Sequence, residues 1–574
     1  MEQKPKRLPY GSSNFGAVIT ENYAYVDKTR FIELLENEAN KYQFFIRPRK
    51  FGKSLFYSML YYYYDVNKAA SFESLFGSLY IGKHPTPRRN SYAVMQLNFS
   101  GLDTSSEEGF RASFSNNIQE AVRVFVNTYR AHFPEADTLI RRIDEGRLGV
   151  GALQVAYGAA KLAGIKIFVL IDEYDHFAND LIAMGKNMGK AVYKIMVTAN
   201  GLVRDFYETL KIGTSEVVDR IFTTGISPVM LNDLTSGFNI ADNLTLKRKY
   251  NEMMGFTQQE VEALMQETGV NPAYINVDME MYYNGYLFHE EGENRVYNPS
   301  MILYFFNQIL EEKKPPKNII DENLKTDYGR LQRLAQNENN RTKLLKIIKE
   351  NGIVSDILQE FSIDRMYDDE YFVSLLVYMG MLTIDRFEEG CLHLKIPNYS
   401  IQTLYWEYIG KITVNTNEDV TIDLTEQRAS LRELAYRGNL HPYIAYVSQN
   451  IFRRLSNRDL VTFDEKYIKI MLLNGLFQSK LYVPVSEREV EGGYVDMYLQ
   501  RSPLLPDIKF EWVWEVKYIK KGEKTKAALQ RAKEHAFDQI ERYRNAQCFS
   551  NRNDVRYAAI IFIGKDKYEI HERP

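Results

Sequence analysis

Only two cysteines, Cys391 and Cys548, occur in the 574 residues. They cannot build a disulfide framework and show no metal-ligand spacing, which fits a reducing compartment. Long apolar runs are missing too. The longest, such as Ile167–Ile171 and Ala558–Ile563, fall well short of the roughly 18 residues a membrane helix needs. The polar start Met1–Tyr10 has no apolar stretch behind it, so no secretory leader is expected. An excess of one charge is also absent: 72 Lys+Arg against 75 Asp+Glu leave −3, so only a local basic patch could hold nucleic acid. There is no repeat of fixed period and no low-complexity linker. The expectation is a cytoplasmic protein with no membrane partner.

What is present is globular composition, 45% hydrophobic and 26% charged, over a length that suggests roughly three or four domains at about 150 residues each. Tyrosine is frequent at 41, with Tyr61–Tyr64 in a row. Strand-like runs at Tyr42–Ile46, Val94–Phe99, Ile165–Ile171 and Arg220–Thr224 alternate with helical patterns such as Ile118–Phe133 and Lys190–Leu210. That alternation predicts a parallel sheet covered on both faces. From about 250 to 400 the pattern is helical. It closes on Tyr371–Met381 and a hairpin, Met381–Ile384 with Cys391–Ile396, which is the order of a winged-helix unit and equally of a plain hairpin on a helical domain. Further helices, Leu424–Tyr436 and Thr462–Phe477, precede a strand-rich end. The boundaries read from these changes are 1–250, 251–415 and 416–574, an α/β multidomain chain.

Arg47-Pro48-Arg49-Lys50-Phe51-Gly52-Lys53-Ser54 stands between a strand and a helix. It follows the G-x-x-x-x-G-K-[ST] phosphate-loop pattern except that Arg47 replaces the first glycine. Backbone N–H groups at the helix start would face a nucleotide's phosphates, with Gly52 letting the chain approach them. Lys53 would neutralise β/γ oxygens and Ser54 would sit on Mg²⁺. The plain alternative is a basic surface turn. A second signal joins the first: the apolar run Ile165–Ile171 delivers Asp172-Glu173 at a strand's C-terminal end, where α/β sheets bind ligands. Asp172 would hold the Mg²⁺ shell and Glu173 would polarise water; a helix cap is the competing role. Thr224, ending a further strand, would sense the γ-phosphate or simply form strand. Arg204, Arg220 and Arg248 are finger candidates that the sequence does not rank.

The C-terminal part carries Gly492-Gly493-Tyr494-Val495-Asp496 and then Glu511-Trp512-Val513-Trp514-Glu515-Val516-Lys517. Strand alternation puts Trp512, Trp514, Val516 and Tyr518 on one face and Val513, Glu515 and Lys517 on the other. Asp496 and Glu515 from neighbouring strands would make an oxygen site for Mg²⁺ or Mn²⁺, with Lys517 supporting attack on a phosphodiester. This is the D…E-x-K arrangement of nucleases; a cross-strand ion pair on a solvated face is the bland reading. A helix with Glu465, an extra ligand candidate, precedes. A helix over Lys524–Asn545 follows, with Leu529, Ala532, Ala536, Ile540 and Tyr543 at core spacing and Gln539 and Tyr543 on one face. Lys517, Lys520, Lys521, Lys524, Lys526, Arg531, Lys533, Arg542 and Arg544 cluster there and would contact phosphates.

These residues resemble a two-part family, the bacterial predicted AAA-ATPase proteins with a C-terminal PD-(D/E)XK nuclease-superfamily domain. Leu8-Pro9-Tyr10-Gly11 and Tyr25-Val26-Asp27-Lys28-Thr29 look like its opening motifs. Its loop typically reads R-P-R-[RK]-F-G-K-S, so Arg47 follows the family pattern. Thr224-Gly225-Ile226-Ser227-Pro228, Ser236-Gly237-Phe238-Asn239, Tyr283-Asn284-Gly285-Tyr286 and Val296-Tyr297-Asn298-Pro299 are similar to later motifs. Asp496, Glu515 and Lys517 fall on the nuclease motif, and Gln539 and Tyr543 look like its Q-x-x-x-Y helix. Tyr494 departs from it, since related nucleases often have Arg there, which bears on substrate binding and not on the metal site. The resemblance implies an AAA-like P-loop core, ATP binding and a nuclease fold. The resulting expectation is an ATP-hydrolysing protein with a Mg²⁺-dependent nuclease acting on DNA rather than RNA, working as a homo-oligomer. The alternatives are a signalling NTPase whose nuclease-like part only binds, and a non-enzymatic interaction protein.

Overall fold

A computed structural model describes residues 4–146, 149–178, 201–229, 239–321, 338–360, 369–416, 423–454, 464–490, 493–550, 552–565 and 567–573. The chain forms two compact units, Met1–Asn398 and Tyr399–Pro574. Among the described residues, no helix is long and apolar enough to cross a membrane.

The first unit is built on five parallel strands: β1 (Tyr42–Ile46), β2 (Ala93–Asn98), β3 (Ile167–Asp172), β4 (Val218–Gly225) and β5 (Asp242–Asn243), in the order β2-β3-β4-β1-β5. All six residues of β3 are buried, as expected of a strand covered on both faces. β4 lies between β1 and β3, so the two segments that carry the phosphate loop and Asp172-Glu173 are next-nearest neighbours in the sheet. The helix Lys53–Tyr64 follows the loop. Its tyrosine run divides by helical period: Tyr63 and Tyr64 are buried, while Tyr61 and Tyr62 lie at its edge. Of the helix expected at Lys190–Leu210, the described part begins at Leu202 and runs to Thr214.

The same unit ends with β6 (Gly352–Val354), β7 (Thr383–Glu388) and β8 (Cys391–Lys395), an antiparallel sheet in the order β6-β8-β7. The expected hairpin is therefore present, with a third strand. The helix before it, Asp369–Tyr378, is buried at every position from Tyr371 to Tyr378. It has no polar face there with which to read a nucleic-acid groove.

The second unit holds a mixed sheet, β13 (Lys567–Arg573), β12 (Val555–Ile563), β11 (Glu511–Ile519), β10 (Gly493–Arg501) and β9 (Tyr482–Val490), in that order. Only β11 and β12 run parallel, and the helix Lys526–Asn545 makes the crossover between them. Side-chain alternation on β11 is as expected. Val513 joins Val495, Tyr498, Ala536, Ile540 and Tyr543 in one core. On the opposite face the Trp512 indole donates to Leu434 O at 3.2 Å, and Trp514 stacks on Tyr443. Leu529 and Ala532, expected in that core, are only half-buried.

Candidate functional site

In the first unit the loop closes on itself. Gly52 has φ +90°, a backbone that L-residues rarely adopt, and it starts the helix Lys53–Tyr64 without any side-chain cap. The first-turn N–H groups are thus left for another acceptor, which fits a phosphate. Lys53 is buried and donates to Arg47 O and Pro48 O, both at 2.9 Å. Burial pushes its ammonium down to about 8, against the pull of Asp172, Asp175 and Glu173. The Ser54 hydroxyl donates to Asp172 Oδ2 at 2.9 Å. Burial raises the Asp172 carboxyl above its usual range, although Ser54 and Lys53 oppose this. A hydroxyl and a carboxylate meeting in this way are the hard oxygen donors a phosphate-bound Mg²⁺ uses.

Glu173 follows with φ +52°, and its N–H donates to Asp172 Oδ1. Its carboxylate lies 2.9 Å from His176 Nδ1, and that contact holds it below the usual carboxylate range. Thr224 is not brought to the loop by its side chain: the fully buried hydroxyl donates to Phe45 O at 2.8 Å and ties β4 to β1. The turn after it is clasped by Asp175, which accepts from the backbone of Ile226 and Ser227. Among the described residues, the three arginines are engaged elsewhere than at the loop. Arg220 starts near the opposite end of β4 and donates to Leu35 O, Arg204 pairs with Glu208, and Arg248 faces Glu291 and Glu293.

Arg47, the residue standing for a glycine, turns inward and is fully buried. Its guanidinium donates to Ile46 O, Thr245 O and Tyr250 O and lies over the rings of Phe45 and Phe288. Burial disfavours the charge, yet a guanidinium keeps its proton in proteins, so these carbonyls and ring faces must stabilise a cation. The rest of the loop is backed by the later motifs. Phe51 packs edge-on against Tyr286 and Phe288. Asn298 caps the helix Pro299–Glu312, and Ser300 Oγ donates to Lys50 O at 3.1 Å. Of the Ser236–Asn239 motif, residues 236–238 lie outside the described residues.

Beside the loop lies a cavity of about 520 Å³, with Gly52, Lys53, Ser54 and Glu173 on its polar wall. Tyr25, Val26, Met253, Met254, Phe256 and Leu303 give it an apolar wall. A mostly apolar pocket with phosphate donors at one end suits a nucleotide. The opening motifs contribute here, since Pro9, Gly11 and Lys28 also line the cavity, and Lys28 is fixed by Glu260 at 2.6 Å.

In the second unit β10 and β11 pair only at Met497–Leu499 with Trp512–Trp514 among the described residues. Where that ladder stops, Asp496 Oδ2 accepts from Val516 N at 3.1 Å. The fork brings Asp496 and Glu515 together. Glu515 is fully buried, and burial together with the neighbouring Asp496 pushes its carboxyl well above the usual range. Lys517 Nζ lies 2.7 Å from Glu515 Oε1 and 3.8 Å from Asp496 Oδ2. Although burial works against its ammonium, these two carboxylates raise its pKa. Tyr543 OH lies 3.5 Å from Glu515 Oε2 and 3.4 Å from Gln539 Nε2, so the expected helix pair reaches the site. Glu465 is 4.0 Å from Lys517. The side chain of Tyr494 lies outside what the structure describes.

Sequence reasoning missed Lys469. It follows Glu465 by one helical turn and places Nζ 2.6 Å from Asp496 Oδ1. The i, i+4 spacing from Glu465 signals an ion pair along the helix and not the contact with Asp496. Among the described residues, no three His, Cys, Asp or Glu side chains stand as a ready metal cage. The donors nevertheless suit a hard cation: two carboxylates crowd together, and the structure already balances them with ammonium groups.

Residues 9–235 match the family model described as predicted AAA-ATPase, and residues 463–572 match that of the PD-(D/E)XK nuclease superfamily. A relative described as an uncharacterized protein in the vnfD 5′ region of Azotobacter chroococcum mcd 1 is 27% identical over 307 residues. The match covers 53% of this chain and 52% of the relative, so the chain spans about half that relative's length. No solved structure matches the chain.

Proposed function

For a chain that carries a predicted AAA-ATPase region followed by a PD-(D/E)XK nuclease-superfamily region, we propose that the first unit binds and hydrolyses ATP with Mg²⁺. We propose further that nucleotide turnover licenses a Mg²⁺- or Mn²⁺-dependent nuclease in the second unit, acting on DNA. The observation that carries this reading is the meeting of Ser54 with Asp172 beside an uncapped, lysine-bearing helix start. On this reading Lys53 leaves the two loop carbonyls for the phosphates, and Gly52 with the first-turn N–H groups orients them. Ser54 and Asp172 would hold the ion, which would supply charge neutralisation at the transferred phosphoryl group. Glu173 would leave His176 to take a proton from the water whose oxygen bonds to the γ-phosphorus as the bond to the ADP oxygen breaks.

In the second unit Asp496 and Glu515, with Glu465 nearby, would hold the ion that activates water. Lys517 supports charge on the scissile phosphate, and Gln539 and Tyr543 position Glu515. The exposed Lys520, Lys521, Lys524, Lys526 and Arg531 on and before the helix Lys526–Asn545 supply phosphate contacts. Among the described residues of 338–395, the order helix, strand, helix, hairpin supports a winged-helix reading as architecture, with the buried helix Asp369–Tyr378 no groove reader. A homo-oligomer follows if a finger arginine comes from another copy, since Arg204 and Arg248 are ion-paired in their own chain. A cytoplasmic setting completes the proposal.

The contact of Lys469 with Asp496 favours a second reading, a regulatory NTPase whose nuclease-like unit binds nucleic acid without cutting it. The ATPase half is tested by calorimetry and phosphate release with Mg²⁺-ATP. Wild-type protein is expected to bind and hydrolyse ATP, with Lys53→Ala losing hydrolysis. Equal turnover by both proteins would overturn the reading.

A further inference from the structure

Lys469 stands outside the two-carboxylate, one-lysine pattern of Asp496, Glu515 and Lys517. Its side chain is 14% exposed and sits between two acids, 2.6 Å from Asp496 Oδ1 and 3.4 Å from Glu465 Oε1. Asp496 Oδ2 is engaged by Val516 N. Both oxygens of the central carboxylate are therefore taken, one of them by an ammonium. Lys517 approaches from the strand side and is held mainly by Glu515. Two ammonium groups, Lys469 and Lys517, thus already lie among the carboxyl groups of Glu465, Asp496 and Glu515 before any metal arrives.

A divalent cation and the Lys469 ammonium compete for the same oxygen, Asp496 Oδ1, and their like charges repel at this range. We propose that Lys469 is a resident counter-cation on Asp496, and that a divalent metal enters the site only by displacing it. Lys469 then sets the metal affinity. The inference rests on the reading of the second unit as a metal-dependent nuclease site. A displaced ammonium needs a new anion, and a nucleic-acid phosphate would supply one to its flexible stem. Metal and nucleic acid should accordingly bind with positive coupling, each strengthening the other by the same factor.

The test is Mn²⁺ binding to the full chain, followed by calorimetry, for wild type, Lys469→Met, Lys469→Arg and Asp496→Asn. Subtracting Asp496→Asn isolates this site from the nucleotide site. Lys469→Met is expected to bind Mn²⁺ at least about tenfold more tightly than wild type, with Lys469→Arg close to wild type. Its melting temperature should fall in chelator and rise more on adding Mn²⁺ than the wild type does. A short DNA duplex should tighten Mn²⁺ binding in wild type and not in Lys469→Met. If the Met variant does not fold, Lys469→Gln removes the charge while keeping a donor toward Asp496. Mn²⁺ affinity unchanged by neutralising Lys469 overturns the proposal, even if DNA is cut. Tightened Mn²⁺ binding without any DNA cleavage would leave the counter-cation standing and contradict the nuclease reading instead.

Discussion

The Ser54 hydroxyl lies 2.9 Å from Asp172 Oδ2, joining two segments 118 residues apart at the ends of strands that do not touch. β4 separates them, so the contact is made by the start of the helix Lys53–Tyr64, whose second residue reaches the end of β3. If both groups bind the ion of Mg²⁺-ATP, then Ser54→Ala and Asp172→Asn each remove one ligand. The expected loss is roughly ten- to hundredfold in affinity for Mg²⁺-ATP, with little change for ATP in chelator. Calorimetry with and without Mg²⁺ separates the two; equal losses in both conditions would contradict the assignment.

Nucleotide binding should also depend on pH through Lys53. Burial lowers its ammonium from an ordinary 10.5 to about 8, whereas a bound phosphate favours the charged form. Below about pH 8 the lysine is already charged, and binding takes up no proton there. Above that value binding takes up one proton, and affinity falls by up to about tenfold per pH unit. For folding the sign is opposite: the cost of the buried charge is present below about 8 and is relieved as pH rises toward 10.5. Binding heats at pH 9 in buffers of different ionisation enthalpy should report this uptake, and Lys53→Met should not. No difference between buffers would contradict it.

Arg47 makes the opposite demand from the glycine it replaces. Its guanidinium fills a closed site, bonded to Thr245 O and Tyr250 O and held against Phe45 and Phe288. Restoring the common loop pattern with Arg47→Gly should therefore destabilise the first unit by about 3 kcal/mol or more through a cavity and orphaned carbonyls. Arg47→Lys should cost about 1–3 kcal/mol, since a point charge cannot bridge the same acceptors. Urea unfolding of each variant measures both. A glycine variant of unchanged stability would mean that the arginine is incidental to the loop.

These cases mark where the sequence was legible. The run at Tyr42–Ile46 and the buried β3 were readable because an apolar strand and a glycine-lysine turn leave local signatures. The alternation on β11 was readable as well, because Trp512 and Trp514 cannot share a face with Glu515. Long-range order was not. Nothing local says that β4 enters between β1 and β3, that Arg47 turns toward Phe288, or that the Thr224 hydroxyl is spent on Phe45 O. Lys469 was overlooked for a related reason: its meaning comes from a strand fork 27 residues downstream. On the helix alone it is an ordinary partner of Glu465.

The central claim, a nuclease licensed by ATP, is tested most directly by cleavage of plasmid and linear DNA in Mg²⁺ or Mn²⁺, with and without ATP. Lys517→Ala and Lys53→Ala proteins run alongside. The account predicts cutting that requires ATP, is lost in Lys517→Ala and is strongly reduced in Lys53→Ala. ATP hydrolysis without cutting under any of these conditions would contradict it and leave a regulatory ATPase whose second unit only binds.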